Sequence, residues 1–297
     1  MKIIVKNNKE RIDKFLAQEL KKSRVVIGKM ISSGFISVNN KSVKSSYKLK
    51  EDDEIEIKDG FKEIVDIVPE KMNINIVYED NYIIVVNKPS GMVVHPGSGN
   101  MSGTLVNGLM GHTKELSDIS GENRLGIVHR IDKDTSGLLL VAKNNEVHNI
   151  LATGFKNKTI KREYIALLTG IFPHESATID APIGRDKNAR KKMMVKSENA
   201  KEAVTHLQVI KRYEGFTLVK LQLETGRTHQ IRVHMQYIGY PIYNDPIYNT
   251  KSVGDFAQFL HAGSLAFTHP ITKEKMLFTV PLPKEYQEFI DNLEEKL

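Results

Sequence analysis

The chain has 297 residues, 40% of them hydrophobic and 27% charged, with a formal net charge of +7 and no cysteine. That length is enough for one large domain and a small one without covalent staples, and the lack of cysteine excludes disulfides and thiolate metal sites. No apolar run approaches the ~20 residues of a membrane span, and Met1-Lys2-Ile3-Ile4-Val5-Lys6 lacks a signal-peptide pattern, so a soluble cytoplasmic protein is expected.

The charge is uneven. Residues 1–50 hold thirteen Lys or Arg against three Asp or Glu, a surplus of +10 that leaves about −3 for the rest. A basic lobe on a near-neutral body points to a polyanion-binding module beside a working domain; a Lys-rich solvated surface is the plainer alternative. Within 11–21, Ile12, Phe15, Leu16 and Leu20 share one helical face. Ser23 is the expected cap of a second helix over Arg24–Ile31, and Gly34 ends it. A strand from Phe35 runs into a turn at Asn39-Asn40, whose residue type tolerates the left-handed region, and Glu54–Ile57 is a second short strand. Lys21, Lys22, Arg24, Lys29, Lys41 and Lys44 are spread over this unit. Residues 61–73, mixed in charge and carrying Pro69, read as a linker.

Residues 74–297 form the expected second domain. A strand over Tyr82–Asn87 breaks at Lys88-Pro89-Ser90-Gly91, a turn composition. Loops at His95-Pro96-Gly97, helices at Thr104–Met110 and near Glu146–Asn157, and strands at Lys161–Leu168, Thr205–Ile210 and Phe216–Leu223 follow. Strands and helices do not alternate regularly, so the class is α+β with a mixed, mainly antiparallel sheet.

Three segments carry chemistry. In the first, His129 to Ser136 places Arg130 two residues from Asp132, just before Leu138–Ala142, a strand apolar on both faces. In the second, Lys161–Ala166, period two puts Arg162, Tyr164 and Ala166 on one face; a packed tyrosine is the plain alternative. In the third, Thr228 is the expected cap of a helix whose stripe is Ile231, His234/Met235 and Ile238, with Gly239 as its stop. Arg232 would lie near that helix start, an unfavourable place for a cation unless an anion offsets it; the plain alternative is a surface arginine. A further basic run, Arg185, Lys187, Arg190, Lys191 and Lys192, falls in a long loop and reads either as a solvated face or as an RNA contact. Asn244-Asp245, His261-Ala262 and His269-Pro270 read as core and cleft floor without chemistry. His229 and His234 are five apart, which does not suit paired helical zinc ligands, and neither a His-Glu-x-x-His nor a phosphate-loop motif is present. No metal or cofactor is expected.

His129-Arg130-Ile131-Asp132, followed by Thr135-Ser136-Gly137 and an apolar strand, resembles the signature of RNA pseudouridine synthases, in particular the D type of the branch that modifies large-subunit ribosomal RNA. Lys161–Ala166 and Gly226-Arg227-Thr228-His229-Gln230 extend the resemblance in family order. Residues 10–58 resemble the S4 RNA-binding module through Arg11-x-Asp13, Ser23-Arg24, Gly34-x-Ile36-x-Val38-Asn39 and Asp52-Asp53. The one departure is Asn244, where the family usually has glycine; asparagine tolerates the same turn.

The resemblance implies a pseudouridine synthase fold over 74–297 and an S4-like RNA-binding domain over 1–60, the latter carrying the six basic residues named above. It implies that Asp132 is the catalytic aspartate, that Tyr164 stacks on the uracil with late removal of the C5 proton as a further role, and that Arg232 pairs with Asp132, Arg227 being the alternative. Arg130 would enter the space vacated by the flipped base or hold its phosphate. His129, Thr135 and Arg227 would join Arg130 as RNA and base-flipping contacts. Asp132 either attacks C1′ to form a glycosyl ester or takes the 2′ proton and passes through a glycal. The implied partner is RNA, in particular large-subunit ribosomal RNA or its assembly intermediate, and the implied state is a monomer. A non-catalytic RNA-binding ribosome-assembly factor is the competing reading. A glycosidic hydrolase, which would release free uracil, is a third.

Overall fold

The structure is a computed structural model. It describes residues 1–6, 10–20, 22, 24–61, 67–97, 99–189, 192–249 and 256–294. The expectations on Lys21, Ser23, Arg190 and Lys191 lie outside these. The chain divides into two compact units, Met1–Asp66 and Ile67–Leu297.

In the first unit, β1 (Lys2–Ile4), α1 (Ile12–Glu19), α2 (Arg24–Ser32), β2 (Ile36–Val38) and β3 (Glu54–Ile57) build a three-stranded antiparallel sheet, order β1-β3-β2, with two helices. Ile12 and Leu16 of α1 are buried and pack with Ile27, Met30 and Ile31 of α2 against Ile36, Val38, Ile55 and Ile57. The predicted strand from Phe35 ends at Val38 because Asn39 and Asn40 both take positive φ, 50° and 61°. Buried Asp53 closes that corner, accepting hydrogen bonds from Asn39 Nδ2, Tyr47 Oη and the Lys50 N–H. A second buried acid, Asp13, accepts from Arg11 Nε and Nη2 and from Arg24 Nη2.

The second unit holds β4 (Ile76–Glu79), β5 (Ile83–Lys88), α3 (Leu105–His112), a 3-10 turn (Glu122–Arg124), β6 (Ser136–Ala142), α4 (Asn145–Lys156), β7 (Lys161–Thr169), β8 (Ser176–Asp180), β9 (Ile183–Arg185), β10 (Met193–Val195), β11 (Val204–Tyr213), β12 (Phe216–Leu223), α5 (Gln230–Tyr237), β13 (Leu260–Thr268), β14 (Lys275–Thr279) and α6 (Lys284–Asp291). Among the described residues, nine strands form one sheet ordered β4-β5-β6-β13-β7-β12-β11-β8, with β14 beside β13. Only the β6–β13 junction is parallel; the mixed, mainly antiparallel α+β architecture is the expected one. In the stretch read as a linker, the Glu70 N–H donates to the Asn107 carbonyl and Asn107 Nδ2 to that of Val68, tying residues 68–70 to α3. Of the basic run expected in a long loop, Arg185 lies instead inside β9, to which β10 pairs, while Lys187 and Lys192 lie between the two strands as expected.

Strand β6 is buried at every position. It meets β13 only at Ser136 and Gly137, and Gly137 is required there: φ is +110° and an added Cβ would lie 2.3 Å from the Ala262 carbonyl oxygen. Beyond that point β13 follows β7, and residues 126–129 fill the fork. Ile127 bridges Val141, the Ala142 N–H donates to the Gly126 carbonyl, and His129 Nε2 accepts the Leu140 N–H at 2.9 Å. A histidine ring thus replaces the missing ladder acceptor, as a buried donor requires. Among the described residues no helix is long and apolar enough to cross a membrane.

Candidate active site

The fork sets the geometry of the loop that follows it. Asp132 sits in the short connection to β6, where its carbonyl accepts the Thr135 N–H. Buried Lys88, at the end of β5, grips the same connection: its Nζ donates to the carbonyls of Pro89, Met92 and Lys133. Burial pulls the pKa of Lys88 down to about 7, against the opposing charges of Asp134 and Asp132. Opposite stands α5. Its entry is not capped by Thr228 as predicted. His229 takes the left-handed conformation, φ 56°, and the Gln230 side chain staples the turn, accepting from Thr225 Oγ1 and the Arg227 N–H while donating to the Val204 carbonyl and Thr205 Oγ1. The exit is as expected: Gly239 has φ +87°, the Tyr240 N–H reaches the Met235 carbonyl and the Gly239 N–H that of Gln236, the double bond of a Schellman end.

Arg232, on the first turn of α5, is buried. Its Nη1 donates to Asp132 Oδ2 at 3.0 Å, while Nε and Nη2 donate to Asp245 Oδ2 and Oδ1 at 2.6 and 2.9 Å. The anion that a cation at a helix start demands is therefore double. Burial disfavours the charged guanidinium, but the hydrogen bonds and charges of Asp245 and Asp132 outweigh this and hold its pKa above the ordinary arginine value. Asp245 is fully buried and also accepts the N–H groups of Ile247 and Tyr248. Asp132 remains 17% exposed, and among the described residues its Oδ1 has no hydrogen bond. Tyr164, on β7, is buried in the wall of the same cleft of about 520 Å³, which Arg130, Arg227 and His229 also line. Burial raises the Tyr164 phenol pKa, with Arg162 opposing and Asp132 adding to the rise.

A family model for RNA pseudouridylate synthases matches residues 82–237, and an S4 domain model matches residues 10–55. The chain belongs to the RNA pseudouridylate synthase family. It is 51% identical to the RNA pseudouridine synthase YlyB of Bacillus subtilis (strain 168), over 96% of this chain and 94% of that one. It is 42% identical to the ribosomal large subunit pseudouridine synthase D of Neisseria meningitidis serogroup A, over 93% of this chain and 76% of that one. The structure of human RNA pseudouridylate synthase domain containing 1 superimposes with a TM-score of 0.59 at 25% identity, covering 77% of this chain and 98% of that one. As a pseudouridylate synthase the chain is an enzyme that isomerises uridine in RNA.

The synthase cleft gathers Asp132, Tyr164, Arg232, Arg130 and Arg227. Arg130 is exposed; among the described residues its Nη1 is held only by His95, whose Nε2 accepts at 3.2 Å and whose Nδ1 donates to the Pro96 carbonyl. Arg227 is not the partner of Asp132; its Nε donates to the Glu202 carbonyl. Two of the expected RNA contacts also take part in the fold. His129 serves the fold: its ring lies 4.6 Å from that of Phe155, and burial, with Arg162 adding, lowers its pKa to about 3, so it brings no charge. Thr135 is buried and its Oγ1 accepts from Gln258 Nε2, which makes it cleft wall. In the S4 unit Lys22, Lys41 and Lys44 are exposed, Lys29 is half-buried, and Arg24 is engaged by Asp13. Asp245, Lys88 and Tyr248 were not anticipated as site residues. Tyr248 accepts the Met193 N–H, faces His229 Nδ1 at 2.8 Å, and carries the Arg232 guanidinium 5.1 Å above its ring.

Proposed function

We propose that this synthase acts on large-subunit ribosomal RNA or its assembly intermediate, as a cytoplasmic monomer, and that Asp132 carries the reaction. The observation behind this reading is the division of labour within one carboxylate: Oδ2 is held by Arg232, itself locked by Asp245, while Oδ1 opens on the cleft beside Tyr164. A fixed carboxylate with one unbonded oxygen is preorganised to act without reorganising. The Neisseria relative, a ribosomal large subunit pseudouridine synthase, supports the choice of RNA, and the S4 domain supplies exposed lysines for phosphate contacts, which fix register rather than read bases.

The target base leaves its stack at a cost of a few kcal/mol, and Arg130, exposed at the cleft mouth, occupies the vacated space or holds the nucleotide's phosphate. In one route Asp132 Oδ1 bonds to C1′ as the C1′–N1 pair departs with the uracil. The freed uracil turns, C5 displaces the carboxylate from C1′, the C5 proton leaves and N1 gains one. In the other, Asp132 takes the 2′ proton as C1′–N1 breaks, and returns it to C2′ when C5 adds to the resulting glycal. Both balance without redox change. Burial keeps the Tyr164 phenol protonated at neutral pH, which favours its ring as a stacking surface over its oxygen as the first base.

Tritium release from RNA labelled at uridine C5 tests the assignment. Asp132→Asn is expected to lose at least about 10⁴-fold in rate while binding RNA within twofold of wild type. Loss of binding together with turnover would make Asp132 structural. A wild-type chain that binds ribosomal RNA but releases no tritium from it would direct attention to the assembly-factor reading, and free uracil in the products to hydrolysis.

A further inference from the structure

Two arginines are buried against the cleft, and their surroundings differ. Arg232, 3% exposed, is matched by two carboxylates. Arg162, 8% exposed, has no carboxylate and no hydrogen bond among the described residues, and its Nε is buried with no acceptor. Its guanidinium lies 5.1 Å from the centre of the Phe155 ring, which fixes the group without neutralising it. Leaving a desolvated guanidinium without an anion is unfavourable, so its presence here calls for an anion that arrives with the ligand.

The setting says what kind. Arg162 lines the Asp132 cleft and also a second, adjoining hollow, to which Arg130, Lys156, Lys158 and Arg227 contribute. Of the carboxylates on that hollow, Glu224 already pairs with Lys158 and His206. Gly226 keeps the way to Arg162 clear, since a Cβ there would lie 3.1 Å from Nη1. The reaction itself requires an anchor of this sort. Once C1′–N1 breaks, the uracil is no longer attached, and in the glycal route, where no bond joins C1′ to Asp132, the sugar and its phosphates must hold C1′ in place.

We propose that Arg162 and the hollow beside it form the seat of a phosphodiester, the one that joins the uridine over Asp132 to its neighbour in the strand. This rests on the reading that the cleft takes the target uridine. The planar guanidinium matches two phosphate oxygens at once, which a lysine does not, and the anchored phosphate holds the ribose while the base turns.

The test compares full-length wild type with Arg162→Met, Arg162→Lys and Arg162→Gln in binding unmodified large-subunit ribosomal RNA over a series of salt concentrations, with thermal unfolding measured in parallel. Arg162→Met is expected to raise Kd about tenfold and to flatten the plot of log Kd against log salt by about 0.7, the loss of one single-strand phosphate contact. Arg162→Lys is expected to keep the slope. Arg162→Gln, which keeps a polar side chain but removes the charge, is expected to flatten the slope by the same amount even if Arg162→Met fails to fold. Wild-type slopes in both folded variants, whatever their melting points, overturn the proposal and leave Arg162 as packing for Phe155. Tritium release decides separately whether the cleft isomerises uridine: a wild type without release removes that reading, while the salt slope still decides whether Arg162 meets a phosphate.

Discussion

Each unit contains a cluster of three charges, and the two clusters have opposite composition. In the S4 unit one buried carboxylate, Asp13, is held by Arg11 and Arg24, whose side chains are 46% and 55% exposed. In the synthase unit one buried guanidinium, Arg232, is held by Asp132 and Asp245. The first cluster leaves a net positive charge at the surface, where it adds to the basic lobe. The second leaves a net negative charge, concentrated on the one carboxylate that water reaches. Under the proposed function the same ion-pair chemistry serves docking in one place and reaction in the other, and burial together with the surplus sign decides which.

Removing single members breaks the comparison. The largest effect is expected for Asp245→Ala. It strips Arg232 of its bidentate partner inside the protein and is expected to cost about 3–5 kcal/mol of stability, read by denaturant unfolding, with loss of turnover as Arg232 no longer holds Asp132 in place. A variant of near wild-type stability would show that Asp132 alone suffices for that guanidinium.

Lys88 adds a third kind of buried cation, matched by three carbonyls instead of a carboxylate. Its pKa is about 7 in the fold and 10.5 in the unfolded chain, so between these values the unfolded state binds more protons and stability rises with pH. The penalty of charging it is fully present below pH 7 and vanishes above pH 10.5. Wild type is expected to gain about 2 kcal/mol relative to Lys88→Met between pH 7 and pH 9. Denaturant curves at the two pH values check this, and parallel curves for the two proteins refute it.

Asp13→Asn is expected to be the mildest. Its arginines can turn to water, so the loss is about 1 kcal/mol, with kcat unchanged on a tritium assay. A cost matching that of Asp245→Ala would erase the contrast between the clusters.

Much of this arrangement was legible in the sequence, and the exceptions share a cause. The unbroken apolar run of β6, the shared face of Arg162, Tyr164 and Ala166, and the stops at Gly239 and Asn244 all follow from local pattern, and the structure gives Asn244 a φ of 59°. Asp245 was hidden because an aspartate before proline reads as a turn residue; nothing local reports that it faces Arg232 on another element. Lys88 was hidden in a turn composition for the same reason. His129 was read as an RNA contact from the family resemblance, yet its bond to the Leu140 N–H depends on where β13 leaves β6, a fact of strand pairing with no local signature. Thr228 was the better cap by residue type, but Gln230 satisfies the turn from inside the helix. Strands β13 and β14 also went unassigned, since their stretches are marked by isolated His, Pro and Lys rather than by a clean period, while helix α6 was legible in Tyr286, Phe289 and Ile290 at helical spacing after Pro283 and was missed.

The fork between β6 and β13 has a consequence for how this scaffold can change. Upstream of Asp132 the chain is bonded to the sheet only as far as His129, and downstream the ladder resumes at Ser136. The stretch between is tethered at both ends to rigid backbone yet contributes no rung of its own. Substitutions at its exposed positions, Arg130 and Lys133, can alter how a strand of nucleic acid is gripped while leaving the nine-stranded framework untouched, so there selectivity and foldability are free to evolve separately.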